Sequence, residues 1–204
     1  MPRLASDLFA SARMALRWRG REGDDARAAG FLVEVRQVGL RLAADWRTLV
    51  AGAPARGTMF TGAPGEAYVV RVRARSEPEG YGPPATATVV VPLDERDSRV
   101  RLSGGWRKQR RPGAWNGGTA VASSSRATAR LRFAKRRVRV IARRSPSAGR
   151  LSVVLDGRRT VVSLAGPEGR RQVAFDSGPL RRGSHRLTVR PAGGRVEIDA
   201  IAPG

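Results

Sequence analysis

The strongest structural signal in this chain is the alternation of apolar residues with arginine at every second position. In segment 68–75, Val70 and Val72 alternate with Arg71 and Arg73. Successive side chains of a β-strand point to opposite faces, so this pattern predicts a strand with one buried and one exposed face. After residue 20 no long segment has the 3.6-residue period of an amphipathic helix. The sequence therefore predicts an all-β protein.

Short strand patterns recur at intervals of roughly 8–12 residues, which is typical of a sandwich or a jelly roll. We predict strands at 13–19, 31–36, 46–50, 58–61, 68–75, 86–93, 100–102, 119–123, 127–133, 137–143, 150–155, 158–164, 171–175, 185–190 and 195–201. Residues 104–118 are predicted to form a long loop, and Asp156-Gly157 a tight hairpin turn. Leu4, Leu8, Phe9, Ala12 and Leu16 would also lie on one face of an amphipathic helix, but we favour the strand for residues 13–19.

Charge divides the chain into two parts. Residues 1–96 carry 14 arginines and 11 acidic residues, whereas residues 97–204 carry 25 basic and 6 acidic residues. With the polar segment 94–98, this asymmetry predicts two domains, 1–94 and 97–204. All but two of the 39 basic residues are arginine. Codon usage in a GC-rich genome and selection for planar recognition of anions both explain that bias, and both stay open.

Several function classes are excluded or disfavoured. The chain has no cysteine and one histidine, which excludes a disulfide scaffold, a cysteine nucleophile and a Cys/His zinc site within one chain. Residues 1–20 lack a secretory signal, and no apolar run approaches the ~18 residues of a membrane span. His185 has no nucleophile-elbow motif to serve, and nothing marks a pair of catalytic carboxylates. We expect a protein that is not an enzyme.

The first half resembles a fibronectin type III domain over about residues 8–93. Trp18, segment 31–36, Trp46-Arg-Thr-Leu49 and segment 68–74 carry the resemblance. It implies that Trp18 packs in the core and that Tyr68 holds a corner through a backbone hydrogen bond. The family's first strand is short or missing here, so we expect a clipped piece of a longer protein.

The second half, about 97–204, is similar to galactose-binding-like, jelly-roll modules of secreted multidomain bacterial proteins. The segments that carry this similarity are Ser103-Gly-Gly-Trp106, Gly113-Ala-Trp-Asn-Gly-Gly-Thr119, Leu151-Ser-Val-Val-Leu-Asp-Gly157, Gly183-Ser-His-Arg-Leu-Thr-Val189 and Arg195-Val-Glu-Ile-Asp-Ala-Ile201. The similarity implies two tandem β-sandwiches, the second a non-catalytic module that often binds carbohydrate.

Candidate ligand-binding residues lie in the predicted loop and at a strand end. An exposed indole of Trp106 or Trp115 would stack on a sugar ring, and Asn116 would hydrogen-bond its hydroxyls. Arg143 and Arg144 would contact acidic groups of a glycan. The alternative is that one or both tryptophans are core residues.

Related modules hold a structural calcium between an early acidic residue and an aspartate of the last strand. Here Asp97 and Asp199 would be that pair, and no other cofactor is expected. The alternative is that each aspartate bonds to backbone or to an arginine.

We therefore expect a monomeric binding or adhesion module at an extracellular or cell surface, for carbohydrate or an acidic cell-wall polymer. A basic nucleic-acid-binding protein is one alternative, because a domain this basic attracts any polyanion. No recognition helix or stacking platform accompanies the arginines, so specific nucleic-acid binding is not expected. An accessory region of a secreted glycoside hydrolase or protease is the other alternative.

Overall fold

The fold is all-β, as predicted. A computed structural model describes residues 3–6, 13–19, 28–38, 46–76 and 80–204. Within these ranges the regular elements are strands, apart from one 3-10 helix at Trp115–Gly117. None of the described helical residues forms a segment long and apolar enough to cross a membrane. The chain divides into two compact units, Met1–Val91 and Pro92–Gly204.

The first unit contains two antiparallel sheets. Its strands are β1 (Arg3–Ser6), β2 (Arg13–Arg19), β3 (Ala28–Gln37), β4 (Arg47–Ala53), β5 (Gly57–Thr61), β6 (Ala67–Ser76), β7 (Gly80–Tyr81) and β8 (Ala85–Val90). One sheet has the order β1-β2-β5, and the other has the order β4-β3-β6 with β7 and β8 both paired to β6. Trp18 is buried in the core and meets Phe31 edge to face at 5.8 Å between ring centroids.

Residues 13–19 form a strand and not a helix. Strand β2 pairs with β1 on one side and β5 on the other, and Leu16 and Trp18 are buried. The first strand, predicted to be short or missing, is present with four residues, Arg3–Ser6.

The second unit is a sandwich of two five-stranded sheets. Its strands are β9 (Arg101–Ser103), β10 (Arg107–Arg110), β11 (Gly118–Ala122), β12 (Thr128–Phe133), β13 (Val138–Arg144), β14 (Arg150–Leu155), β15 (Arg158–Ser163), β16 (Gly169–Asp176), β17 (His185–Pro191) and β18 (Val196–Pro203). The "β18 sheet" has the order β10-β11-β18-β13-β16, and the "β9 sheet" has the order β15-β14-β17-β12-β9. Leu131, Leu187 and Val153 of the β9 sheet share one buried cluster with Val140 and Ile198 of the β18 sheet.

One sequence prediction needs correction here. Residues 107–110, placed in a loop, form the edge strand β10, which pairs only with β11 among the described residues. Its residues Arg-Lys-Gln-Arg lack apolar alternation because the strand buries no face. In the structure the first unit ends at Val91, and Leu93 exchanges backbone hydrogen bonds with Ile201 and packs in the core of the second unit.

Candidate ligand-binding site

Strand β18 buries two carboxylates on the face of its sheet that looks away from the core. Val196 and Ile198 belong to the core cluster, and Glu197 and Asp199 alternate with them. Glu197 is 8% exposed and Asp199 is 3% exposed. Buried carboxylates need partners, so the surroundings of these two residues define the chemistry of this face.

Glu197 is held by three polar side chains. Arg111 donates from Nε and Nη2 to its two oxygens at 3.1 and 3.2 Å, and Thr119 Oγ1 donates at 3.1 Å. Arg143 Nη1 lies 3.9 Å from Glu197 Oε2. Burial by itself would raise the pKa of Glu197, but the bonds from Arg111 and Thr119 outweigh it and lower that pKa. Glu197 is therefore a fixed anion at neutral pH.

Arg143 links this cluster to the opposite wall of a groove. Its Nη2 also pairs with Glu168, the last residue of the connection between β15 and β16. Its Nε is buried and has no hydrogen-bond partner in the described structure. The Arg143 guanidinium therefore lies between the carboxylates of Glu168 and Glu197, and its Nε–H is a donor that neither of them uses.

The groove has a volume of about 350 Å³. Its charged and polar lining comes from Arg111, Arg143, Glu168, Glu197, Arg195 and the hydroxyls of the turn 145–147. Such a volume lies at the lower end of the range for small-molecule sites. The lining offers both donors and acceptors, and none of its residues is aromatic.

The loop before β11 is fixed by the other buried aspartate. Asp199 Oδ1 accepts the Trp115 backbone N–H at 2.7 Å, and Arg171 Nε donates to the Gly113 carbonyl at 2.7 Å. Burial, reinforced by the negative charges of Glu95 and Glu197, raises the pKa of Asp199 to about 6. Glu95 is 4% exposed, and burial raises its pKa as well.

The structure places the two predicted stacking tryptophans in or against the core. Trp115 is 1% exposed, so its indole is a core group and not an exposed platform. Trp106 is half-buried and packs against the core cluster of the second unit. Asn116 is exposed and donates from Nδ2 to Asp94 at 2.8 Å, with a left-handed φ of 50°. The hydrogen bond from Asn116 to Asp94 helps to fix this loop, and ligand binding by Asn116 stays a prediction.

Of the predicted arginine pair, Arg143 lines the groove and Arg144 does not. Arg144 is half-buried, and its Nε has no partner among the described residues. The remaining groove residues Arg111, Glu168 and Glu197 were not predicted as a site. The only sequence signal was the acidic pair 197 and 199 inside an otherwise apolar strand.

The two aspartates proposed for calcium have separate partners. Asp97 accepts hydrogen bonds from Arg99 Nε and Nη2 at 2.9 and 2.7 Å, and these bonds lower its pKa. Asp199 bonds to the Trp115 backbone. No group of three or more Asp, Glu, His or Cys side chains is placed to hold a metal within the described ranges. Calcium stays a prediction.

His185 is a structural residue in this geometry. Its Nδ1 lies 2.6 Å from Asp156 Oδ2 and its Nε2 lies 3.0 Å from the Arg181 carbonyl. The bond to Asp156 raises the pKa of the imidazole. Both ring nitrogens are occupied, and the ring joins the β14–β15 hairpin to the start of β17.

No family model matches this chain. It is 26% identical over 110 residues to the A type blood N-acetyl-alpha-D-galactosamine deacetylase of Flavonifractor plautii, a match that covers 53% of this chain and 14% of that protein. The structure is similar to the CBM35 from Cellvibrio japonicus Abf62, with 20% identity, a TM-score of 0.45, and coverage of 56% of this chain and 93% of that one. It is also similar to an alpha-L-rhamnosidase from Dictyoglumus thermophilum, with 14% identity, a TM-score of 0.48, and coverage of 100% and 29%. The chain spans a small part of its curated relative.

Proposed function

We propose that the second unit is a non-catalytic glycan-binding module whose ligand lies in the groove between Arg111, Arg143, Glu168 and Glu197. The groove itself carries this proposal. Sugar hydroxyls both donate and accept hydrogen bonds, and this lining supplies fixed carboxylates for the first and guanidiniums and hydroxyls for the second. Ion pairs already hold these side chains, so little ordering is needed on binding. The sequence match to a deacetylase of N-acetyl-α-D-galactosamine supports a sugar as the ligand.

The state of Glu197 favours binding over glycoside hydrolysis. A hydrolase of this type needs one carboxylic acid with a raised pKa to protonate the leaving group. The pKa of Glu197 is lowered, because Arg111 and Thr119 bond its oxygens. A carboxylate held in this way accepts hydrogen bonds and has no proton to give at neutral pH. Asp199, whose pKa is raised, is 3% exposed and does not line the groove, so it is not placed to protonate a leaving group there.

For the first unit we propose a fibronectin type III-like spacer. Tyr68 at the start of β6 accepts the Ala63 backbone N–H on its hydroxyl at 2.9 Å, which is the geometry of a tyrosine corner. The division into the sheets β1-β2-β5 and β4-β3-β6-β8 supports the same proposal. An extracellular or cell-surface location, where such pairs tether a catalytic or adhesive partner to its substrate, belongs to this proposal.

Calorimetric titration of the full chain with N-acetylgalactosamine, galactose and a galactose-containing oligosaccharide tests the groove. Arg143→Gln removes a charged donor from the groove, so we expect binding to weaken about tenfold or more. Arg139→Gln is the matched control, because Arg139 lies on the same strand and pairs with Asp176 outside the groove. The control should bind like the parent.

Two results would contradict the proposal. One is equal affinity of the parent, the Arg143→Gln variant and the Arg139→Gln variant for every sugar that binds. The other is release of acetate or of a cleaved sugar from the oligosaccharide by the parent, which would make the second unit an enzyme.

A further inference from the structure

The outer face of the β9 sheet presents seven exposed arginines. They are Arg101 on β9, Arg130 and Arg132 on β12, Arg150 on β14, Arg159 on β15, and Arg186 and Arg190 on β17. We call this surface the arginine face. The residues between them on the strands, such as Leu131 and Leu187, are buried in the core. The face therefore lies on the opposite side of the sandwich from the groove.

Strand register brings like charges together on this face. Arg130 lies directly opposite Arg101, and Arg132 lies directly opposite Arg186. Neighbouring strands are about 4.8 Å apart, and like charges directly opposite each other destabilise a sheet. In the isolated protein, two such repulsive arginine pairs therefore destabilise the same surface.

Acidic residues are segregated away from the arginine face. None of the seven arginines has a carboxylate partner in the described structure, and Arg159 donates instead to Ser152 at 3.0 Å. Asp156 lies only at the edge, where it bonds to His185 and to the Arg186 backbone. Arginines of the β18 sheet, by contrast, pair with Asp176, Glu168 and Glu197. Codon usage explains abundant arginine but not this one-sided exclusion of acids.

The shape of the face selects among polyanions. It is a sheet surface without an aromatic residue at its outward positions on β9, β12, β14, β15 and β17. Single-stranded nucleic acids are bound with aromatic stacking platforms, and duplex grooves are read by a helix or a two-stranded ribbon. Guanidiniums pair with carboxylates in a bidentate manner, and Thr188 between Arg186 and Arg190 offers a hydroxyl for hydrogen bonds to the hydroxyls of a sugar.

We propose that the arginine face binds a carboxylated polysaccharide, and that it does so independently of the groove. The polymer lies across the strands, and its carboxylates pair with successive arginines. This ligand class differs from the neutral sugar proposed for the groove. Each surface should therefore still bind its own ligand in a variant whose other surface no longer binds.

The test is binding of the full chain to immobilised polygalacturonate at about 0.1 M salt. The face variant carries Arg130→Gln, Arg132→Gln, Arg186→Gln and Arg190→Gln. The control variant loses four other exposed arginines through Arg107→Gln, Arg110→Gln, Arg126→Gln and Arg181→Gln, so both variants have the same net charge. We expect the face variant to bind about tenfold or more weakly than the control.

Two further measurements keep this result interpretable. The thermal midpoint of the face variant should equal or exceed that of the parent, because the substitutions remove two like-charge pairs. Fully methyl-esterified polygalacturonate, which has no charge, should not bind the parent at the same salt concentration.

The proposal is overturned by equal binding of the face and control variants, or by equal binding of the esterified polymer. It is also overturned if duplex or single-stranded DNA binds more tightly than polygalacturonate at the same salt and the face variant alone loses that binding. Sugar binding by the face variant and by Arg143→Gln reports on the groove separately, so the two proposals fail independently.

Discussion

At the scale of single residues, Asp199 is the most unusual group of the second unit. Its carboxylate is 3% exposed, accepts the Trp115 backbone N–H, and lies near the negative charges of Glu95 and Glu197. Its pKa rises from 3.8 to about 6, so folding favours the protonated form. The folded protein therefore loses stability as the pH rises from about 4 through about 6, and the loss persists above that range.

Asp199→Asn tests this directly. Asparagine keeps the oxygen that accepts the Trp115 N–H but carries no charge. In metal-free buffer the variant should be more stable than the parent at pH 8, by up to about 3 kcal/mol, and about equal to it at pH 4. Urea unfolding at the two pH values measures the difference.

The same variant also tests whether Asp199 binds a structural calcium ion. If calcium binds at Asp199, the parent gains stability when calcium is added and the variant does not. A variant that is less stable than the parent at pH 8 in metal-free buffer would contradict the charge argument, because removal of the buried charge would then give no gain.

At the scale of elements, the turn from β5 to β6 depends on a tight local arrangement. A Cβ added at Gly62 would lie 2.7 Å from Tyr68 Cε2 and 2.7 Å from Val91 Cγ2, so the chain passes close to both side chains. Phe60 packs edge to face on the Tyr68 ring at 4.9 Å between centroids. The Tyr68 hydroxyl completes the turn by accepting the Ala63 N–H.

Tyr68→Phe should keep the ring packing and remove only that acceptor. We expect a loss of about 1 kcal/mol in the unfolding free energy of the first unit, with the second unit unchanged. Denaturant unfolding followed by hydrogen exchange in each unit measures this effect. Tyr81→Phe, at a 44% exposed position, is the control and should cost little. Equal losses in the two variants would contradict the corner assignment.

Strands in which apolar and polar residues strictly alternate could be predicted from the sequence, whereas the groove around Glu197 could not. The apolar positions of 13–19 and 127–133 identify their strands because each of these strands buries one face. Strand β10 gave no such signal because it buries no face. In the groove, Arg111 bonds to Glu197, which is 86 positions away in the sequence. A local sequence pattern does not indicate which residues so far apart come into contact. Trp115 was ambiguous because aromatic residues serve both cores and surfaces.

At the scale of the whole molecule, unbalanced charge is concentrated in one unit. Residues 92–204 contain 26 basic and 8 acidic residues, whereas residues 1–91 contain 13 and 9. Like charges repel most strongly in the compact state, so this imbalance destabilises the second unit. Asp176, Glu168 and Glu197 pair with arginines on or next to the β18 sheet, whereas no arginine of the arginine face pairs with a carboxylate in the described structure.

Salt should therefore stabilise the second unit. The screening length falls from about 30 Å at 0.01 M salt to about 8 Å at 0.15 M, which weakens repulsion over the arginine face more than it weakens the short ion pairs. In differential scanning calorimetry we expect the midpoint of the second unit to rise with salt, and that of the first unit to change less. The face variant, which loses four arginines of the arginine face, should show a smaller rise than the control variant of equal charge. A midpoint that falls with salt would mean that ion pairs such as Arg137–Asp176 outweigh the repulsion, because screening would then remove more attraction than repulsion.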